Sequence, residues 1–146
     1  VALRPGELPA QAQPSAFIEA VAAFEQVAGN AAAAPAWRAA LRRWPAEPAP
    51  YLALGNLAYA SGKLPVAVDY YRRGLHASPG YPALGNNLAS VLGELGCPNT
   101  AAALLKPIKS GLAAGSSWHS VIAATLAELA PQAQDGDAWC AALYPG

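Results

Sequence analysis

The chain is predicted to be all-α, with three helical hairpins stacked side by side and one further helix closing the stack. Three observations carry this expectation. Alanine makes up a quarter of the 146 residues, and it combines the best helix propensity with a side chain small enough for close helix contact. The 14 prolines fall mostly between segments of helical period or at segment starts, where a missing N–H costs little. Residues of like size recur at a 34-residue offset, so that Ala33, Ala67 and Ala101 coincide.

The elements follow in order. Residues 1–13, VALRPGELPAQAQ, lack a helical period. Val1 and Leu3 alternate with Ala2 and Arg4 as at the end of a strand, and the Pro-Gly that follows reads as turn and linker. From Pro14 the pattern is helical, with Ser15 placed to cap a helix over Phe17 to Ala28. Gly29-Asn30 interrupts it, and Asn30 can cap Ala31 to Arg43. Pro35 is acceptable in that helix only within its first turn. Trp44-Pro45 ends it, and Pro48 to Ala60 is next, broken by Gly62. Pro65 opens Val66 to Ala77, and Ser78-Pro79-Gly80 stops it. Pro82 to Leu95 follows, and Asn99 or Thr100 caps a helix to about Lys109. Pro107 inside that helix should distort or end its last turn, at a cost of about 3 kcal/mol. Ser116-Ser117 can cap Trp118 to Ala130. After a loop, Asp137 is placed to cap a last turn through Leu143.

The 34-residue register assigns these helices to repeats. Phe17, Tyr51 and Gly85 align, as do Ala20, Leu54 and Leu88, then Val21, Gly55 and Ala89. Ala28, Gly62 and Gly96 form a turn column, and Trp37, Tyr71 and Leu105 a bulky one. Pro45 aligns with Pro79. Small residues mark close helix approach, and large ones mark where the next repeat must be reached. No single unit can bury its apolar face alone, so neighbours must stack.

Tyr51, Leu54, Gly55, Gly62, Ala67, Tyr71, Leu75 and Pro79 stand at the spacing of the tetratricopeptide repeat motif, which this chain resembles. The first repeat is similar through Phe17, Ala20, Phe24, Ala33, Trp37, Leu41 and Pro45, and the third through Leu88, Gly96 and Ala101. The resemblance implies a right-handed superhelical stack over 14–130, with repeats 14–47, 48–81 and 82–115 and a cap helix at 117–130. Residues 131–146 form a tail. It departs from the motif at Ala58, with Tyr59 one place late, and at Gly85, Ile108 and Lys109. A second resemblance concerns the ends. The VALRPGELPA opening, three such repeats and a cysteine-bearing tail look like the C-terminal region of some exported bacterial papain-like cysteine peptidases. That implies Val1–Leu3 as the last strand of a catalytic domain lying before this chain.

Composition narrows the function. Net charge is zero at pI ≈ 6.9, and no basic stripe extends beyond Arg42, Arg43, Arg72 and Arg73, so nucleic acid is not an expected partner. No apolar run approaches the roughly 20 residues that span a bilayer, so direct membrane insertion is not expected either. His76 and His119 are the only bases near neutral pH. Both read as structural, and no nucleophile elbow, phosphate loop or paired-carboxylate site appears. The chain itself is therefore expected to be no enzyme and to need no cofactor. His76, Cys97, His119 and Cys140 lack the short ligand pair of a zinc site. Cys97 and Cys140 fit one disulfide in an oxidising space or two buried thiols.

What remains is binding. Helical spacing turns Ser15, Ile18, Ala22 and Glu25 of the first repeat toward the concave face. Leu52, Asn56 and Tyr59 follow from the second, and Asn86, Ser90, Gly93 and Glu94 from the third. The family resemblance implies that an asparagine at position 56 hydrogen-bonds the backbone of an extended peptide; Asn56 and Asn87 bonding only backbone or water is the alternative. The cations Arg38, Arg42, Arg72 and Arg73 fall on second helices, so no carboxylate clamp is expected in the groove. Glu25 and Glu94 favour a neutral or basic segment. The expected function is a protein- or peptide-binding module. A substrate-positioning or docking domain of a peptidase and a self-association scaffold, hence a homo-oligomer, are the alternatives. The peptidase resemblance implies an exported, periplasmic location, with a cytoplasmic one left open.

Overall fold

A computed structural model describes residues 13–130 and 139–143, and every regular element among them is a helix. The order is α1 (Pro14–Ala28), α2 (Asn30–Arg43), α3 (Pro48–Ala60), α4 (Leu64–Ala77), α5 (Pro82–Glu94), α6 (Pro98–Ser110), α7 (Trp118–Leu129) and α8 (Trp139–Leu143). The strand-like reading of the first residues and the Asp137 cap lie outside the described residues.

The repeat spacing is visible in the helix starts. α1, α3 and α5 begin on Pro14, Pro48 and Pro82, and α2, α4 and α6 on Asn30, Leu64 and Pro98, each series in steps of 34 residues. Proline's fixed φ suits the first helical position, where its missing N–H would lack an intrahelical acceptor anyway. It also displaces the caps expected from side-chain chemistry. α1 starts at Pro14 with Gln13 before it, so Ser15 lies inside the helix and not at its cap. α6 likewise starts at Pro98 after Cys97, ahead of Asn99 and Thr100. Asn30 is the first residue of α2, preceded by Gly29. Before α7, the Ser116 hydroxyl accepts the Trp118 N–H at 3.2 Å.

Two prolines sit inside helices, and Pro35 lies further along its helix than expected. Pro35 is the sixth residue of α2, beyond its first turn, and α6 continues past Pro107 to Ser110. Each is on an exposed face, while the opposite face is buried: Ala33, Ala34, Ala36, Trp37 and Ala40 in α2, and Ala101, Leu104, Leu105 and Ile108 in α6. Tertiary burial along the rest of each helix outweighs the loss of one backbone hydrogen bond.

Consecutive helices pack pairwise from α1 to α7. α3 also touches α5, and α5 touches α7, so the first helices of successive hairpins form one layer that α7 extends. Close approach depends on small residues. A Cβ on Gly55 would lie 2.3 Å from the Tyr71 ring, so the ring occupies the space over α3 within its own hairpin. Tyr71 both fills its own hairpin over Gly55 and belongs to the core cluster it shares with Leu84 and Leu88 of the next repeat.

Two clusters make the core. The smaller joins α1, α2 and α3 around Phe17, Val21, Trp37, Leu54 and four alanines. The larger runs from Tyr51 to Cys140 and is built on Leu84, Leu88, Leu92, Leu105, Ile122 and Leu129. A disulfide joins Cys97 to Cys140 across 43 residues, with both sulfurs buried. It fastens α8 to the turn between α5 and α6. Trp118 packs against the larger cluster, whereas Trp139 is largely exposed.

Candidate functional site

The layer made by α3 and α5 carries a shallow depression of about 300 Å³, lined by Asn56, Tyr59, Tyr71, Asn87, Ser90 and Val91. Asn56 comes from the exposed face of α3, because Leu54, Gly55 and Ala58 turn the opposite face into the core. Asn87 and Ser90 come from α5, between the buried Leu88, Ala89 and Val91. Tyr71 reaches the same place from α4, over Gly55.

At the centre is the Asn56 side-chain oxygen. It accepts the Tyr71 hydroxyl at 2.7 Å and the Asn87 Nδ2 at 2.9 Å. Two donors on one oxygen set the orientation of the Asn56 amide. Among the described residues, Asn56 Nδ2 and Asn87 Oδ1 make no hydrogen bond. A donor pair and an acceptor therefore stand beside each other at the surface, the complement of a peptide group's C=O and N–H. Burial is the main cause that pushes the Tyr71 hydroxyl up from 10.0 to about 12; the Asn87 amide opposes it and Tyr59 adds to it. Tyr71 thus stays a neutral donor at physiological pH.

One rim is Tyr59, whose hydroxyl donates to Glu94 Oε1 at 2.5 Å across the α3–α5 boundary. That hydrogen bond, and then the carboxylate's charge, raise the Tyr59 hydroxyl above its ordinary value. No lysine or arginine lines the depression.

The chain matches no family model and no curated protein.

The residues expected on this face separate into groups. Asn56, Tyr59, Ser90 and Glu94 come together around the depression. Asn86 does not join them: its Oδ1 accepts the Thr125 hydroxyl of α7 at 2.7 Å. Gly93 lies under Leu129, whose Cδ2 would be 2.7 Å from a Cβ there. Leu52 is half-buried against the larger cluster, and Ile18 and Ala22 against the smaller. Glu25 accepts the Trp37 indole N–H at 2.5 Å, and Ser15 is exposed on α1. α7 is what removes Asn86 and Gly93 from the open face, because it packs on α5 as a further first helix.

Three lining residues, Tyr71, Asn87 and Val91, are not among the groove residues expected from helical spacing. Tyr71 was assigned to packing, yet its polar tip belongs to the site. The signal was present: Trp37 and Tyr71 share a column, and both are bulky rings with a polar end. Asn87, weighed with Asn56 only as bonding backbone or water, instead bonds the Asn56 side chain, and the neighbouring Asn86 turns to Thr125 on another side. The candidates for catalysis are occupied otherwise. The disulfide leaves neither cysteine a thiolate or a metal ligand. His119 Nε2 lies 3.1 Å from the Ala113 carbonyl oxygen, and His76 is exposed on α4.

Proposed function

We propose that this chain is a tetratricopeptide-type array, three hairpins in a right-handed superhelical stack capped by α7, that binds an extended segment of a partner polypeptide. The segment crosses the α3–α5 face and is held by its backbone, with no chemistry performed on it. The observation that carries this reading is the Asn56–Asn87–Tyr71 cluster, which holds a free amide donor and a free amide acceptor side by side in an open depression. The absence of a lining cation and the presence of Glu94 at the rim favour a neutral or basic segment. The buried Cys97–Cys140 disulfide supports an oxidising compartment, as expected of an exported protein. That setting is also what an accessory domain of an exported peptidase requires, and a module of this kind would position substrate by the same face.

The test is selection of unstructured peptides from a random library on the purified chain, followed by calorimetric titration of the tightest binder. Asn56→Ala and Asn87→Ala should each weaken it about tenfold, since each removes a hydrogen bond to the ligand; Asn56→Ala also lowers the thermal midpoint, because the Tyr71 hydroxyl loses its acceptor, whereas the folded circular-dichroism spectrum is kept in both. Binding equal to the unmodified chain in both variants would exclude this face as the site.

A further inference from the structure

A second concavity lies away from that face, between the end of α2 and the last turns of α4. It measures about 450 Å³ and is lined by Pro45, Tyr51, Arg72, Arg73, His76 and Ala77. It shares no lining residue with the α3–α5 depression. Of the four arginines on second helices, Arg72 and Arg73 line it.

Arg73 is held in place by aromatic rings. Its guanidinium carbon lies 5.7 Å from the centroids of both Tyr51 and Tyr70. Tyr51 is itself fixed, buried in the core with its hydroxyl donating to the Pro45 carbonyl oxygen at 2.8 Å. Stacking occupies the faces of a guanidinium and leaves its N–H edge available, which is the geometry that pairs with two oxygens of one anion. Among the described residues, the carboxylate paired with this cluster is Asp69, at 3.2 Å from Arg72 and 3.5 Å from Arg73. It is half exposed, and one carboxylate serves two guanidinium groups. The cluster keeps a net positive charge and unused N–H donors, and His76 adds a ring nitrogen on the same wall. Pro45, Ala77 and the Tyr51 ring supply an apolar wall beside the cations.

We propose that this concavity is an oxyanion site for a carboxylate or phosphomonoester borne on a small apolar body. Arg73 and Arg72 bind the oxygens through their N–H edges, and the Pro45–Tyr51–Ala77 wall contacts the remainder. Asp69 is the internal competitor that an incoming anion displaces.

The experiment is titration of the isotope-labelled chain with phenyl phosphate and, separately, benzoate, at constant ionic strength, with sodium chloride as reference. NMR follows the Arg73 Nε–Hε signal and the backbone amides of 72–77. Saturating shifts confined to these groups are expected. A tighter response to phenyl phosphate assigns the site to phosphomonoesters, and an equal or tighter response to benzoate assigns it to carboxylates; either supports the proposal. Arg73→Gln should weaken binding about tenfold, through loss of the bidentate partner. Asp69→Asn should tighten it several-fold, an effect that damage to the fold does not produce and that keeps the test decisive if Arg73→Gln perturbs packing. Shifts that follow chloride without saturating, or unchanged affinity in Asp69→Asn, would overturn it.

Discussion

The first hairpin and the two that follow are built on the same 34-residue plan with different materials. The α1–α2 core takes half of its eight buried residues from alanine. The core from α3 to α8 is filled by leucine and isoleucine and closed by a disulfide. Burying a methyl removes far less apolar area from water than burying an isobutyl group, so the first hairpin has less to hold it. Its turn differs too. After α3, Gly62 and Lys63 donate to Tyr59 and Ala58, and after α5, Gly96 and Cys97 donate to Gly93 and Leu92. These are the paired closures of a helix that ends on a left-handed glycine, with Gly62 at φ 72 and Gly96 at φ 81. α1 ends on a single residue, Gly29, with one bond back to Glu25. The outer side of α1 leaves Phe24 at 39% and Val27 at 90% exposure. A repeat plan therefore specifies where helices lie without specifying how firmly each is held, because stability depends on the volume and coverage at each column.

The comparison breaks most sharply at the disulfide. Replacing Cys97 and Cys140 by serine should cost about 4 kcal/mol on the chain-entropy account of a loop of this length. Urea unfolding would show it as a lower midpoint. Hydrogen exchange should show α5 to α8 losing their advantage over α1 and α2, while the first hairpin exchanges as before.

Next in size is the space over Gly55, where the Tyr71 ring leaves no room for a methyl group. Gly55→Ala should destabilise by about 1–3 kcal/mol through overpacking, despite alanine's better helix propensity. The first hairpin carries the fully buried Val21 in the same column, and Val21→Ala should instead cost by leaving a cavity. Thermal midpoints of the two variants, each also measured with Tyr71→Leu, separate the mechanisms, since a smaller side chain over position 55 relieves overpacking there and does not fill a cavity at position 21.

Alkaline pH acts on the second hairpin through Tyr71. Its folded value of about 12 lies above the ordinary 10.0, so the native state holds this proton more tightly than the unfolded chain. The contribution is complete below pH 10.0 and is lost as pH rises toward 12. Urea midpoints on either side of that window should fall less in Tyr71→Phe than in the unmodified chain. An identical decline in both would show that other groups govern alkaline unfolding.

The smallest effect belongs to the outer side of α1. Val27→Ser should change stability by less than about 0.5 kcal/mol, because the side chain is 90% exposed. A larger loss in denaturant titration would mean that this face is covered in solution and would narrow the difference between the hairpins.

Much of the framework was legible before any coordinates. Pro14, Pro48 and Pro82 open the first helix of each hairpin because a residue without an N–H is tolerated there and hardly elsewhere. Gly62 and Gly96 mark turns because only glycine adopts their backbone without strain. Those are properties of a residue and its nearest neighbours along the chain. Pro35 lies beyond the first turn of α2 for the same reason: the local penalty is visible in the sequence, and the burial that overrides it is not. The site depended on tertiary structure altogether. Asn56, Tyr71 and Asn87 come from three helices and meet at one oxygen, while Asn86, one position from Asn87, turns away to Thr125. Helical period assigns a side chain to a face; the spacing and rotation of α3, α4, α5 and α7 decide whether that face meets solvent, a partner or another helix.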